Sequence, residues 1–232
     1  MSREVLISAA SRLHFGMFSF GHVDQRQFGG VGVMVNRPRV ELTVSEATTL
    51  HVSGPLAQRV TNLIGHLGRE WGLPSPPACR VNVKSAPPPH TGLGVGTQLD
   101  LAVAAGLRHF LGQPRLSPIE LAGSTGRGGR SSIGTHGFVY GGLLVDTGKL
   151  VDEPLGTLES RHPVPSTWRI VLIRTSERPG PSGMPETIAF KRLAPVPPAV
   201  TDELWKITRH ELLPALHKSD LAKFGEAVYQ FG

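Results

Sequence analysis

Three glycine-punctuated clusters hold the residues of this chain whose types and spacing could do chemistry. The first is Arg12-Leu13-His14-Phe15-Gly16, joined through a turn carrying Asp24 and Arg26 to Phe28-Gly29-Gly30. The second runs from Pro87-Pro88-Pro89-His90-Thr91 into Gly92-Leu93-Gly94-Val95-Gly96-Thr97-Gln98-Leu99. The third is Gly126-Arg127-Gly128-Gly129-Arg130-Ser131-Ser132-Ile133-Gly134-Thr135-His136-Gly137-Phe138. In the second cluster the alternating Gly92, Gly94 and Gly96 let the backbone pass close to a ligand, and one or more of them is expected at positive φ. Thr97 stands where the N-cap of an apolar helix over about 98–111 is expected, so free N–H groups and the positive end of the helix dipole face the loop. That makes an anion site, best suited to phosphate. In the third cluster Arg127 and Arg130, set among glycines and the hydroxyls of Ser131, Ser132 and Thr135, are expected to clamp phosphate oxygens. Each cluster alone also reads as an ordinary turn. Together they predict a polyphosphate pocket.

Two common nucleotide loops are excluded by spacing. A P-loop ends in Gly-Lys-Ser/Thr, and no lysine follows Gly96. A dinucleotide fingerprint places its third glycine three residues after the second and an acidic residue about twenty further on, where this chain has Gln113, Pro114 and Arg115.

The elements that would position these loops are legible from periodicity. Residues 5–20 read as a strand, followed by strands over 28–35 and 40–44 and a possible continuation of the meander at 50–52. Leu56, Val60, Leu63, Ile64, Leu67 and Trp71 form the stripe of an amphipathic helix starting at Pro55. A strand over 79–84 leads into the second cluster. Ser117-Pro118-Ile119-Glu120 signals another helix, with a capping box and proline at its first position, which must stop at Gly126. Residues 138–145 read as a hairpin or bulged strand, 155–167 as a linker, and 169–174 as an apolar strand opening a second domain. A proline-rich loop over 177–185 is expected to be mobile. The segments 199–216 and 219–229 read as helices. Strands and helices come in blocks, so the fold class is α+β.

Composition narrows the function classes. The chain has 232 residues, 39% apolar and 18% charged, with a net charge of +6. Only 6% of residues are aromatic, and no basic run or basic–aromatic stripe occurs, so nucleic acid is not an expected partner. One cysteine excludes a disulfide framework and a Cys-based zinc site. No signal peptide and no apolar run of membrane-spanning length is visible, so the expected location is cytoplasmic, with no membrane partner.

Pro88, Gly92, Leu93 and Gly94 resemble the second motif of the GHMP small-molecule kinase superfamily, Pro-x-x-x-Gly-Leu-Gly-Ser-Ser-Ala, with Val95-Gly96 in place of the two serines. Read in order, the three clusters resemble more narrowly the β-ribofuranosylaminobenzene 5′-phosphate synthase branch of that superfamily. The resemblance spans about residues 5 to 230, and the third cluster is its most specific part. It implies a GHMP-type two-domain α+β fold, with an N-terminal domain over 1–156 and a partial ferredoxin-like C-terminal domain over 167–232. Nothing between Trp168 and Gly232 resembles the third GHMP motif, so the second domain is expected to be incomplete and to favour a homodimer.

The resemblance also implies the reaction: 4-aminobenzoate condenses with phosphoribosyl pyrophosphate (PRPP), releasing carbon dioxide and pyrophosphate, in methanopterin synthesis with magnesium. Many GHMP kinases place an aspartate base just before a Gly-Gly hairpin, where this chain has His136 ahead of Gly141-Gly142. That favours the synthase over an ATP-dependent kinase; a non-catalytic phosphate-binding remnant is the third reading. His136 is expected as an acid/base, a carboxylate contact, or a structural histidine bonded to backbone. Arg127 and Arg130 would stabilise the leaving diphosphate. Arg12 or Arg26 would hold the 5-phosphate or the benzoate carboxylate, with His14 and His90 as further polar contacts. Asp24 and Asp100 are the candidate magnesium ligands, Asp100 alternatively complementing the helix dipole. Leu143-Leu144-Val145-Asp146 and Val151-Asp152-Glu153 faintly resemble the acidic PRPP loop of ordinary phosphoribosyltransferases, but without its preceding strand and its Thr-Gly-Gly-Thr.

Overall fold

The structure, a computed structural model, describes residues 3–173, 188–190 and 192–232. Alternating apolar residues build its sheet. β1 (Glu4–Met17) and β2 (Gly30–Glu46) pair antiparallel. On the other edge of β2, β4 (Cys79–Ser85) takes the C-terminal half and β5 (Leu143–Asp146) the N-terminal half. β3 (His51–Ser53) adds parallel to β4, and β6 (Leu158–His162) adds antiparallel to β5.

A register shift divides this sheet into two working halves. Ala10 faces Arg39, but Ser11 faces Val35, so Asn36, Arg37 and Pro38 have no ladder partners on β1, and the Pro38 carbonyl accepts instead from Ser11 Oγ at 2.6 Å. Because side chains alternate with period two, such an interruption exchanges the faces of everything beyond it. On one side of the shift Val5, Ala9, Val40, Leu42 and Val44 pack with the helices α1 (Ala57–Glu70) and α2 (Val95–Phe110). On the other side Val31, Val33 and Val35 join a second core, packed by Leu13 and Phe15 and by C-terminal helices. The face released by the exchange carries Arg12 and His14.

Helix boundaries follow local chemistry. α1 connects β3 to its parallel neighbour β4 and buries Val60, Ile64 and Leu67. α3 (Pro118–Thr125) has the expected capping box between Ser117 and Glu120, and Gly126 ends it in the left-handed conformation. α4 (Ile133–Tyr140) lies against β1, β2 and β5. α5 (Pro198–Lys206), a π-helical stretch (Ile207–Leu212) and α6 (Leu213–His217) run continuously, and Asp220 caps α7 (Leu221–Phe231). Ile207, Leu212, Leu216, Ala227 and Phe231 fill the second core. No helix among the described residues is long and apolar enough to cross a membrane.

Several expectations are corrected. The strands expected over 28–35 and 40–44 are one strand, β2. Residues 51–53 do not continue a meander but pair parallel to β4 across a helical crossover. Of the hairpin or bulged strand expected over 138–145, residues 138–140 instead close α4, whose apolar run is bracketed by Ser132 and Gly141, and 143–145 lie in β5. The expected linker contains β6, held by its pairing with β5. Arg169–Ile173 form no strand; Ile170, Val171, Leu172 and Ile173 are exposed. Arg174 and the expected loop over 177–185 lie outside the described residues.

Two glycines test this packing in opposite directions. A Cβ on Gly32 would lie 2.7 Å from Ile133 Cγ2 of α4 and 2.7 Å from the Leu13 carbonyl oxygen. Gly32→Ala is expected to cost about 1–3 kcal/mol. A Cβ on Gly68, inside α1, would meet nothing within 4 Å, so Gly68→Ala is expected to gain about 0.5–1 kcal/mol. Urea midpoints of the two variants check both signs.

Candidate active site at the starts of two helices

α2 begins without a side-chain cap. Its N-cap is Gly94, at φ 67°, and no side chain accepts a hydrogen bond there. The Gly94 carbonyl accepts from Gln98 N at 3.0 Å, while the first-turn N–H groups of Val95, Gly96 and Thr97 have no partner one helical turn back. Thr97 is thus the third residue of the helix and not its cap, because the left-handed Gly94 lets the helix start earlier. Gly92, at φ 80°, and His90, an exposed residue at φ 62°, shape the approach.

Three guanidinium-bearing side chains surround this turn. Arg12 N donates to the Leu93 carbonyl at 3.0 Å, and the Arg12 side chain lies against Gly94. A Cβ built on Gly96 would be 3.4 Å from Arg59 Nη2 and 3.6 Å from Arg127 Nη2. Asp100, one turn into α2, fixes both of these arginines. Arg59 Nε and Nη2 donate to its two oxygens at 3.0 and 2.7 Å, and Arg127 donates from Nε at 2.8 Å and also from Nη2. The Asp100 carboxylate is 5% exposed, whereas Arg59 and Arg127 are 40% and 30% exposed. One buried anion therefore orients two partly exposed cations whose charge it only half neutralises.

The start of α4 closes the opposite wall. Gln98 Nε2 donates to the Gly134 carbonyl at 2.8 Å, and Gly134 approaches Thr97 and the Arg12 side chain. Unlike those of α2, the amides at this end are engaged. Ser132 N donates to Asp146 Oδ2 at 2.8 Å, and Ile133 N donates to Ser131 Oγ at 3.3 Å. Thr135 N and His136 N donate to the Ser132 carbonyl. Asp146 also accepts from Gly148 N at 2.8 Å, and Ser132 Oγ accepts from Gly156 N at 2.6 Å. Burial pushes the Asp146 carboxyl above its ordinary range, against the pull of its two backbone donors.

His14 joins the first cluster to the third, with Nε2 3.2 Å from Ser131 Oγ. Since that oxygen already accepts from Ile133 N, the assignment with the Ser131 proton on His14 Nε2 satisfies both groups. Burial, and secondarily the Arg12 charge, lowers the His14 pKa from 6.5 to about 3. His14 is a neutral ring at physiological pH.

The remaining candidates divide by their contacts. His136 is buried and makes a 2.8 Å hydrogen bond between Nε2 and the Gly156 carbonyl, the backbone-bonded alternative among those expected for it. Thr135 and Ser132 are buried within the packing of α4. Arg26 pairs with Glu153 at 2.7 Å and donates to the Gly148 carbonyl at 2.9 Å, bracing the turn between β1 and β2. Arg127 reaches Asp100, while the Arg130 guanidinium lies 5.1 Å over the Phe190 ring, so the two arginines turn to different neighbours. Asp24 is exposed, and Asp100 is engaged by two guanidiniums. Among the described residues no group of three or more His, Cys, Asp or Glu side chains could hold a metal ion. The sequence reading gave no role to Arg59 or Gln98, and met Asp146 only in a faint resemblance to the acidic PRPP loop, not as the acceptor that starts α4. Arg59, on the polar side of α1, gave no signal.

No family model matches the chain. Along 97% of its length it is 30% identical to the β-ribofuranosylphenol 5′-phosphate synthase of Methanothermobacter thermautotrophicus, covering 74% of that protein. The chain belongs to this synthase family. The Archaeoglobus fulgidus protein of the same name is 29% identical over 94% of the chain and 72% of its own length. Among solved structures, the Streptococcus pneumoniae phosphomevalonate kinase aligns over 98% of this chain and 77% of its own, with a TM-score of 0.64 at 11% identity. That likeness shows the GHMP-type fold. Membership makes the chain an enzyme of the synthase family, in agreement with the resemblance carried by its three clusters.

The lowered pKa of His14 has a stability consequence in this synthase. Below the unfolded value of 6.5 the unfolded chain takes up a proton that the folded chain refuses until about pH 3. This group's contribution, complete above pH 6.5, is therefore lost as the pH falls, at about 1.4 kcal/mol per unit. Urea denaturation at about pH 7.5 and about pH 5 should show a loss near 2 kcal/mol from this source. His14→Gln should lose less stability over the same interval by about that amount. An equal loss in both proteins would place the titration elsewhere.

Proposed function

We propose that this chain joins the ribose of PRPP to the ring of a para-substituted benzoate, releasing carbon dioxide and pyrophosphate in tetrahydromethanopterin synthesis. The observation that carries this reading is the uncapped first turn of α2 beside Arg12, Arg59 and Arg127. Backbone N–H groups at a helix start, together with fixed guanidiniums, suit a diphosphate better than a single carboxylate. Small, highly charged substrates of this kind suit an enzyme of the cytoplasm.

The chemistry then rests on electrostatics. The bond between ribose C1 and the diphosphate oxygen breaks, and its electron pair leaves with pyrophosphate. The ring carbon that bears the carboxylate bonds to C1. The carbon–carboxylate bond then breaks, its pair returns to the ring, and carbon dioxide departs. No proton has to be taken from that ring carbon, so the step needs no general base there. A His136 tied to the Gly156 carbonyl is compatible with such a step. The relatives' names give the product as a phenol, and the motif resemblance gave an aminobenzene. The two differ in one para substituent, each able to feed electrons to the attacking carbon.

Magnesium belongs to this proposal as a counter-ion arriving with the diphosphate. Mg²⁺ commonly takes one or two carboxylates plus phosphate oxygens. The carboxylates expected for it do not form a cage: Asp24 is exposed and Asp100 is held by Arg59 and Arg127.

Calorimetric titration with PRPP and, separately, ATP, each with magnesium, tests the reading. PRPP should bind in the micromolar range with ATP silent, and Arg127→Ala should weaken PRPP by about tenfold or more. ATP binding with PRPP silent would overturn the synthase reading for this chain and return it to kinase chemistry.

A further inference from the structure

A cavity of about 420 Å³ lies beside the third cluster, lined by Phe20, Gln27, Phe28, Gly129, Arg130 and Phe190 among others. Its volume falls within the range of about 300–1,000 Å³ usual for small-molecule sites. Phe190 is its hub. Phe20 and Phe28 meet that ring edge-on, at centroid separations of 5.8 and 6.3 Å and interplanar angles of 89° and 85°. Arg130 lies over the same ring at 5.1 Å. In a chain with 6% aromatic residues, three phenylalanines around one guanidinium are a concentrated apolar and cationic surface.

The backbone supplies an independent observation. Phe28 sits at φ 64°, a conformation disfavoured for a bulky residue. Hydrogen bonds hold it there: Phe28 N donates to the Ser19 carbonyl at 2.8 Å, and Phe18 N donates to the Gly29 carbonyl at 2.8 Å. Such strain persists where the surroundings enforce it and gathers at ligand sites. A chain of contacts links the cavity lining to the diphosphate turn. Arg130 precedes Ser131, which touches His14, and His14 is two residues along β1 from Arg12, whose side chain lies on Gly94.

We propose that this cavity is the subsite for the aromatic acid, with the benzoate ring among Phe20, Phe28 and Phe190 and its carboxylate directed to Arg130. The assignment rests on the synthase reading above and deepens it. Phenyl edges carry partial positive charge and suit the electron-rich face of a ring bearing a para amino or hydroxyl group. A guanidinium matches a carboxylate in shape and charge. Since this ion pair is made in the bound acid and lost as carbon dioxide leaves, Arg130 contributes mainly to binding of the acid.

Equilibrium titration of the full chain with 4-hydroxybenzoate and 4-aminobenzoate, followed by saturation-transfer NMR, tests the subsite, with cyclohexanecarboxylate as the non-aromatic control. Arg130→Gln should raise Kd and KM for the aromatic acid by about tenfold or more, while Kd for PRPP changes by less than about twofold. Phe190→Leu, which keeps apolar bulk, should weaken the two benzoates but not the control acid. Unchanged benzoate affinity in both variants would overturn the subsite. So would a parallel loss of PRPP and benzoate binding with a lowered melting midpoint, which would mark a folding defect and place the acid elsewhere. Product formation by the wild type with unaltered variants would sink the subsite and leave the synthase standing. Benzoate binding by the wild type without PRPP binding or turnover would sink the synthase reading instead.

Discussion

The molecule depends on one interruption in its longest strand pair. If β1 and β2 kept a single register throughout, the apolar alternation of Val5 to Ala9 would continue along β1. The positions now held by Arg12 and His14 would then face the C-terminal helices. The unpaired Asn36–Pro38 stretch lets the same sheet build one core with α1 and α2 and another with the C-terminal helices. It also turns a cation and a neutral imidazole toward α2 and α4. Fold and site are thus set by a single change of phase: the residues that close the second core and those that face the ligand are alternate members of one strand.

Two buried carboxylates organise the site without belonging to its reactive surface. Asp100 holds Arg59 and Arg127 beside Gly96, and Asp146 gathers the amides of Ser132 and Gly148 so that α4 starts where it does. The contrast between the helix starts follows. At α4 the protein's own acceptors engage the first amides, and at α2 no side chain caps the turn. Positive potential is accordingly concentrated at one of two adjacent helix ends, and the arginines around it are held by a charge too deeply buried to compete for a ligand.

What the sequence made legible follows from how local each signal is. The amphipathic stripe of α1, the capping box of α3 and the two C-terminal helices are written in residues a few positions apart, and the structure has them. The resemblance of the glycine clusters to the synthase family was specific, and the comparisons agree with it. The signals that failed were those settled by distant partners. Leu158–His162 is a strand only because β5 offers an edge, and 51–53 pairs parallel because α1 carries the chain over the sheet. Arg127 and Arg130 look equivalent in sequence, but Asp100 captures one and the Phe190 ring lies under the other. For His136 the sequence left an acid/base, a carboxylate contact and a backbone-bonded histidine open, and it took the Gly156 carbonyl twenty residues away to choose the last.

The bare first turn of α2 has a consequence beyond recognition. A helix whose N-cap is a glycine, like Gly94, forgoes only about a few tenths of a kcal/mol relative to one capped by serine or aspartate, but it leaves its first amides without an acceptor. An anion seated on Val95, Gly96 and Thr97 would supply the missing acceptor, so substrate and fold would share one set of hydrogen bonds. Under the proposed function the ligand would act as a removable part of the secondary structure, and departure of pyrophosphate would return the helix to its less complete form.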